Sequence, residues 1–199
     1  KVNFDDFSNQ LLSLINQLGF EKIHLVGFSL GALIARDFAY KHAEKLCSLI
    51  IHGSIYKRTE DQKRVVLNRF HLAKMNKPAS RHTALRRWFT QDFIKKNPEI
   101  YKKIYLDLEK NDHKNFLKSY ELFVHYQDDD NMIKKINANT LITTGEGDVG
   151  STPEMARNLS KVIKNSKFVE IKKGKHLCGI ECADDVNITF KNFIDRNNA

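Results

Sequence analysis

Residues 23–31 read Ile23-His24-Leu25-Val26-Gly27-Phe28-Ser29-Leu30-Gly31, an apolar run that opens into a serine flanked two positions away on each side by glycine. Between a strand-like run and a helical one, this pattern predicts a nucleophile elbow, the tight turn that lifts a serine hydroxyl off the end of a sheet. Such a turn strains the backbone at the serine and brings strand and helix close together, and glycine accommodates both. The pattern alone is weak. With Gly and Ser each near 7% of an average chain, it arises by chance in roughly one chain of this length in fifteen. An ordinary strand-to-helix turn with a solvent-facing serine reads the same way, so the surrounding chain has to decide.

Upstream, Phe4, Phe7, Leu11, Leu14, Ile15 and Leu18 recur at a helical period and predict a helix over 4–18 with one buried stripe, stopped by Gly19. Downstream of the serine, Leu33, Ile34 and Phe38 mark a helix over about 30–42, with Ala32 and Ala35 small enough for close packing. Residues 46–51 are nearly continuously apolar and read as a second buried strand, with Cys47 in the core. Strand, helix, strand in that order implies a right-handed parallel crossover and an α/β scaffold. Strands resume at 140–144 and 167–171. Ser151-Thr152-Pro153-Glu154 opens a helix running to about Lys164, and Asp184 or Asp185 opens the closing one.

Residues 56–135 break this rhythm: they are helix-rich and charged, punctuated by Pro78 and Pro98, and carry no strand-like run. An insertion of that kind between strands is how a lid over a site would be encoded. The expected organisation is a core over 1–55, a helical cap over 56–135 and the rest of the core over 136–199.

The chain has 199 residues, 41% of them hydrophobic and 29% charged, which suits one soluble domain with a substantial core. No apolar run approaches the roughly 18 residues of a membrane span. Three cysteines, Cys47, Cys178 and Cys182, are too few and too odd in number for a disulfide framework and point to a reducing, cytoplasmic setting. His176 with Cys178 and Cys182 fits no common zinc spacing, so neither a metal nor another cofactor is expected. The net charge of +9 is concentrated: residues 56–105 hold 14 Lys/Arg against 4 Asp/Glu. No nucleic-acid-binding motif accompanies the excess. It reads as a solvated surface or as an electrostatic funnel for an anionic small molecule.

In open parallel sheets, functional groups gather at the carboxyl ends of the strands. Ser29 follows the first strand, Asp148 the third and His176 the fourth. A serine hydroxyl is a poor nucleophile near pH 7 and needs a base, and the base needs an acid that fixes its tautomer. Of the eight histidines only His176 lies in a loop after the final strand, and the order Ser, Asp, His is the one expected for such a sheet. Glu146, two positions before Asp148, is the rival acid.

Four stretches together resemble the α/β-hydrolase superfamily, and within it the 3-oxoadipate enol-lactonases and related small esterases. They are Gly27-Phe28-Ser29-Leu30-Gly31; Arg87-Trp88-Phe89-Thr90 with Phe93 and Pro98; Thr144-Gly145-Glu146-Gly147-Asp148 running into Gly150-Ser151-Thr152-Pro153; and His176 followed by Glu181. The resemblance implies Ser29 as nucleophile, Asp148 as triad acid, His176 as general base and the Leu30 N–H as one oxyanion donor. It implies a small ester or lactone as substrate, with Phe28 and Trp88 as candidate contacts. For an anionic substrate, Lys57, Arg86 and Arg87 are the cations at hand. Carbon–carbon bond hydrolysis, perhydrolysis and non-catalytic ligand binding are the other activities the same fold supports. Family members begin with several strands and a His-Gly loop that supplies a second oxyanion donor, whereas this chain starts at the helix before the nucleophile strand. That difference leads to the expectation that the 199 residues are a piece of a longer product.

Overall fold

The computed structural model describes residues 2–75 and 78–198. Helix α1 (Phe4–Gln17) starts on a reciprocal cap: the Asn3 side chain accepts the Asp6 N–H and the Asp6 carboxylate accepts the Asn3 N–H, each at 2.9 Å. It ends at Gly19, whose φ of +73° is left-handed. Strand β1 (Ile23–Phe28), helix α2 (Leu30–Lys41) and strand β2 (Leu46–His52) form the predicted crossover. Six helices follow: α3 (Glu60–Lys74), α4 (Pro78–Trp88), α5 (Gln91–Lys96), α6 (Pro98–Lys110), α7 (His113–Val124) and α8 (Asp130–Ile133). The chain then returns to the sheet through β3 (Asn139–Gly145), α9 (Pro153–Ser160), β4 (Ser166–Ile171), α10 (Cys178–Glu181) and α11 (Ala183–Asp195).

All four strands are parallel, in the order β1-β2-β3-β4. Phe28 pairs with His52 and His52 with Thr143, so the strands end level with one another. Backbone bonding continues just past those ends, from Ser29 N–H to His52 O at 3.0 Å, Gly53 N–H to Thr143 O at 2.8 Å and Glu146 N–H to Ile171 O at 2.8 Å. The loops after β1, β2, β3 and β4 therefore leave from one edge.

Alternation along β2 divides the core. Leu49 and Ile51 face α1, α2 and α9, packing with Ile15, Leu33, Phe38 and Leu159, whereas His52 meets Phe190 of α11. Close approach of α2 to β1 depends on small residues. A Cβ at Gly27 would stand 2.4 Å from the Gly31 carbonyl oxygen and 2.6 Å from Ala35 Cβ, atoms of a packed helix that cannot swing aside. Gly27→Ala is expected to cost about 3 kcal/mol of stability by overpacking. A urea midpoint unchanged from the parent would refute this seating of α2.

The expected α1 stripe is buried only in part. Phe4, Leu11 and Ile15 join the core, but Leu14 and Leu18 are 50% and 58% exposed. Leu14 lines a groove with Leu25 and Val26 of β1, which among the described residues has a neighbour on one side only, and Val26 is 45% exposed. Three other expectations shift. Cys47 is half-buried rather than core, helix α9 ends at Ser160 rather than near Lys164, and the closing helix begins at Ala183.

Between β2 and β3, helices α3 and α7 pair through Val66, Phe70 and Val124, while Leu85 and Phe89 anchor α4 and the turn after it. Fully buried Arg36 of α2 ties this segment to the sheet by donating to Ser54 Oγ at 3.2 Å and to the Ile55 carbonyl at 2.9 Å, and by pairing with Asp128. Among the described residues no helix is long and apolar enough to cross a membrane.

Candidate active site

Ser29 sits between β1 and α2 with φ 54° and ψ −116°, a left-handed conformation that a side-chain-bearing residue rarely adopts. The hydrogen bond from its N–H to His52 O holds it there. Its Oγ lies 3.1 Å from His176 Nε2, and His176 Nδ1 lies 2.6 Å from Asp148 Oδ2. With the Asp148 carboxylate accepting the Nδ1 proton, Nε2 is the unprotonated nitrogen and accepts the serine hydroxyl.

Asp148 is 4% exposed, and its other oxygen, Oδ1, accepts the Gly150 and Ser151 N–H groups at 2.8 and 2.9 Å. Burial works against its charge, but the hydrogen bond to His176 and the two backbone donors prevail, and its carboxyl is held below the usual carboxylate range. Asp148 does not cap α9, because that role falls to Thr152. Glu146 lies on the exposed side of the same loop, where it accepts from Lys173 N–H at 3.0 Å and Lys172 Nζ at 3.1 Å.

The histidine loop is clamped from two sides. Lys175 N–H donates to Glu181 at 3.0 Å, and the other Glu181 oxygen accepts the Thr90 N–H at 3.0 Å together with the Thr90 hydroxyl. Leu177 N–H donates to the Trp88 carbonyl at 3.0 Å. On the β3 side the backbone approaches so closely that a Cβ on Gly145 would fall 2.2 Å from the Lys175 carbonyl oxygen. The glycine that precedes Glu146-Gly147-Asp148 thus lets the acid loop and the histidine loop lie against each other.

Phe28 and Trp88 both border the histidine, with ring centroids 5.0 and 6.3 Å from the imidazole. Leu30 is the first residue of α2, so its N–H is one of the helix-start amides without an intrahelical acceptor. The structure thus brings together Ser29, Asp148, His176, Leu30, Phe28 and Trp88. Of the cations singled out for an anionic substrate, Arg86 is exposed and Lys57 is engaged by Asp130 at 2.5 Å, leaving Arg87.

His52 is a neighbour that strand position alone did not reveal as part of the site. It is buried beneath Phe28, with Nδ1 2.7 Å from Thr143 Oγ1 and Nε2 3.6 Å from Cys178 Sγ. Burial pushes its imidazole down to about 4, and the nearby His176 adds to the effect. An unfolded chain takes up this proton near pH 6.5, which the folded chain does not do until about pH 4. The stability so held is intact above pH 6.5 and drains away as pH falls to about 4, in total about 3 kcal/mol. His52→Gln should flatten that stretch of a urea-midpoint-against-pH curve, and an unchanged slope would show that the buried imidazole is not the group responsible.

A family model described as alpha/beta hydrolase fold matches residues 1–181. The chain is 24% identical over 190 residues to an (E)-2-((N-methylformamido)methylene)succinate hydrolase of Acinetobacter baylyi, covering 94% of this chain and 70% of that protein. In three dimensions it is similar to the enol-lactonase of Burkholderia xenovorans, with a TM-score of 0.88 and 22% identity over 98% of this chain and 74% of the other. It is also similar to a meta-cleavage product hydrolase of Pseudomonas fluorescens, with a TM-score of 0.81 and 17% identity over 100% of this chain and 74% of the other.

Proposed function

Because the chain belongs to the alpha/beta hydrolase fold family, we propose that it is a serine hydrolase that cleaves a carboxylic ester or lactone through an acyl-enzyme on Ser29. The observation that carries this reading is the unbroken relay from Ser29 Oγ to His176 Nε2 at 3.1 Å and from His176 Nδ1 to Asp148 at 2.6 Å, with the serine in a strained turn at a helix start.

His176 Nε2 takes the hydroxyl proton as Ser29 Oγ attacks the carbonyl carbon, and the carbonyl oxygen becomes an oxyanion. The Leu30 N–H, at the positive end of α2, is the donor that receives that charge. Collapse of the tetrahedral species expels the alcohol, to which the imidazolium returns its proton. Water, deprotonated by the same imidazole, then releases the acid and regenerates Ser29. Asp148 stays ionised throughout and stabilises the imidazolium. The helices between β2 and β3, with Trp88 beside His176, act as the cap under which a small-molecule substrate binds.

A second reading, hydrolysis of a carbon–carbon bond next to a ketone, draws support from the fold similarity to the meta-cleavage product hydrolase. A panel of simple esters, five- and six-membered lactones and a vinylogous diketone separates the two. Release of acid from the esters or lactones with no cleavage of the diketone is the expected result, and the converse would replace the ester reading.

A further inference from the structure

The acyl-enzyme chemistry gives no task to the buried pair His52 and Cys178, yet both adjoin the segments that form the relay. His52 ends β2 at 4% exposure, and Cys178, fully buried, opens α10 two residues after His176. The main chain of His52 already serves the nucleophile, because its carbonyl accepts the Ser29 N–H at 3.0 Å. Its side chain reaches the other two segments. Nδ1 lies 2.7 Å from Thr143 Oγ1, on the strand that leads to Asp148, and Nε2 lies 3.6 Å from Cys178 Sγ, within the longer reach of a sulfur hydrogen bond.

Cys178 closes the turn that carries the general base. Its N–H donates to the Lys175 carbonyl at 3.1 Å, so that His176 and Leu177 are the two central residues of that turn. Gly174, just ahead of it, packs so closely on α10 that a Cβ there would fall 2.5 Å from Cys178 Cβ. The Phe28 ring lies against both imidazoles, with centroids 5.2 Å from His52 and 5.0 Å from His176. Gly53, next to His52, has a φ of +59°, and a Cβ there would stand 3.1 Å from Phe28 Cε2 and 3.4 Å from His176 Cε1. A displacement of Cys178 is therefore a displacement of the His176 turn, in a place with little room to absorb it.

The polar pairing around His52 is complete. A neutral imidazole has one donor and one acceptor nitrogen, and a hydroxyl and a thiol can each take either role. Burial keeps both partners of the 3.6 Å contact uncharged at neutral pH, pushing the imidazole down to about 4 and the thiol up to about 12. Hydrogen bonds in such a dry setting fix direction as well as distance. An aliphatic side chain packed on Phe28 and Phe190 would fix no such angle. Thr143, His52 and Cys178 thus make a polar chain from β3 through the end of β2 to α10.

We propose that His52 is a positioning residue for the relay: through Cys178 it fixes the turn that carries His176, so that the imidazole presents Nε2 to Ser29 and Nδ1 to Asp148. The effect on rate rests on the serine-hydrolase reading above, whereas the placement of His176 is measurable without turnover. Cys178 acts in this arrangement as a buried hydrogen-bonding partner and not as a nucleophile.

The test uses the whole chain with His52→Leu, His52→Gln, Cys178→Ala and Cys178→Ser, assayed on 4-nitrophenyl acetate with active sites counted by fluorophosphonate uptake, so that unfolded molecules drop out. His52→Leu and Cys178→Ala should each lower kcat about 10- to 100-fold with KM within about twofold, the cost of slightly misplacing a reacting group. His52→Gln and Cys178→Ser, which keep a polar atom at the contact, should recover part of that loss. Combining His52→Leu with Cys178→Ala should cost little more than the worse single change, because both cut the same link. A parental kcat per counted site in His52→Leu, even at a lowered thermal midpoint, would overturn the positioning role, as would a raised KM at unchanged kcat. A second measurement, on the alkaline side of neutrality, needs no turnover: long-range proton–nitrogen correlation spectra, with the His176 signals assigned by their loss in His176→Gln. The parent should show the His176 proton on Nδ1, and His52→Leu a mixture of tautomers. That mixture, in a protein whose parent neither cleaves esters nor takes a serine label, would keep the positioning role and overturn the hydrolase reading alone. The Nδ1 proton undisturbed in His52→Leu would overturn the positioning role whatever the turnover.

Discussion

Replacing Ser29 by alanine is expected to abolish covalent labelling by a fluorophosphonate and to lower ester turnover by up to about 10⁶-fold, the scale seen when a triad nucleophile is removed. The size of the effect follows from the chemistry. The Ser29 oxygen stands 3.1 Å from an imidazole nitrogen whose opposite nitrogen is already engaged by a carboxylate. Without that oxygen no acyl-enzyme forms, and what remains is the small assistance of the oxyanion donor and of binding. The mass of the labelled protein decides the matter. One adduct that maps to Ser29 and disappears in the variant is the expected result, whereas an adduct that survives the substitution would move the nucleophile elsewhere. The variant should fold like the parent, because the backbone hydrogen bond from residue 29 to His52 does not depend on the side chain.

The second large effect belongs to the acid. Asp148→Asn should cost about 10⁴-fold in kcat, because an amide can donate to Nδ1 and so favours the wrong imidazole tautomer while leaving the shape of the site intact. Glu146→Gln should change kcat by no more than a few-fold, since that carboxylate is spent on Lys172 and the Lys173 N–H at the surface. Assay of both variants at one pH checks the pair. A severe loss at Glu146 with a mild one at Asp148 would reverse the assignment. Asp148 also has two backbone donors to lose, so the thermal midpoint of the asparagine variant should be measured beside its rate, to separate a misaligned loop from a wrong tautomer.

Much of the architecture was legible before any coordinates. Strands show as short apolar runs and helices as a 3.6-residue stripe because burial acts on each element's own face. The elbow shows because its turn tolerates few residue types on either side of the serine. The reading failed where burial depends on a neighbour. Leu14 and Leu18 share the period of Ile15, yet both remain exposed. His52 ends a strand as many histidines do, and only the packing of Phe28, Thr143 and Phe190 around it makes it a buried imidazole beside the relay.

By itself the sequence determined the α/β class, the three strand ends that carry serine, acid and histidine, and the helical insertion between strands. These are local properties, written in residue type and spacing within a turn or a single element. The tertiary structure decided which acid faces the histidine and which aromatic rings border it. Those are facts of distance between groups far apart in the chain, 147 positions in the case of Ser29 and His176, and they exist only once parallel strands of matched length bring their loops to one edge.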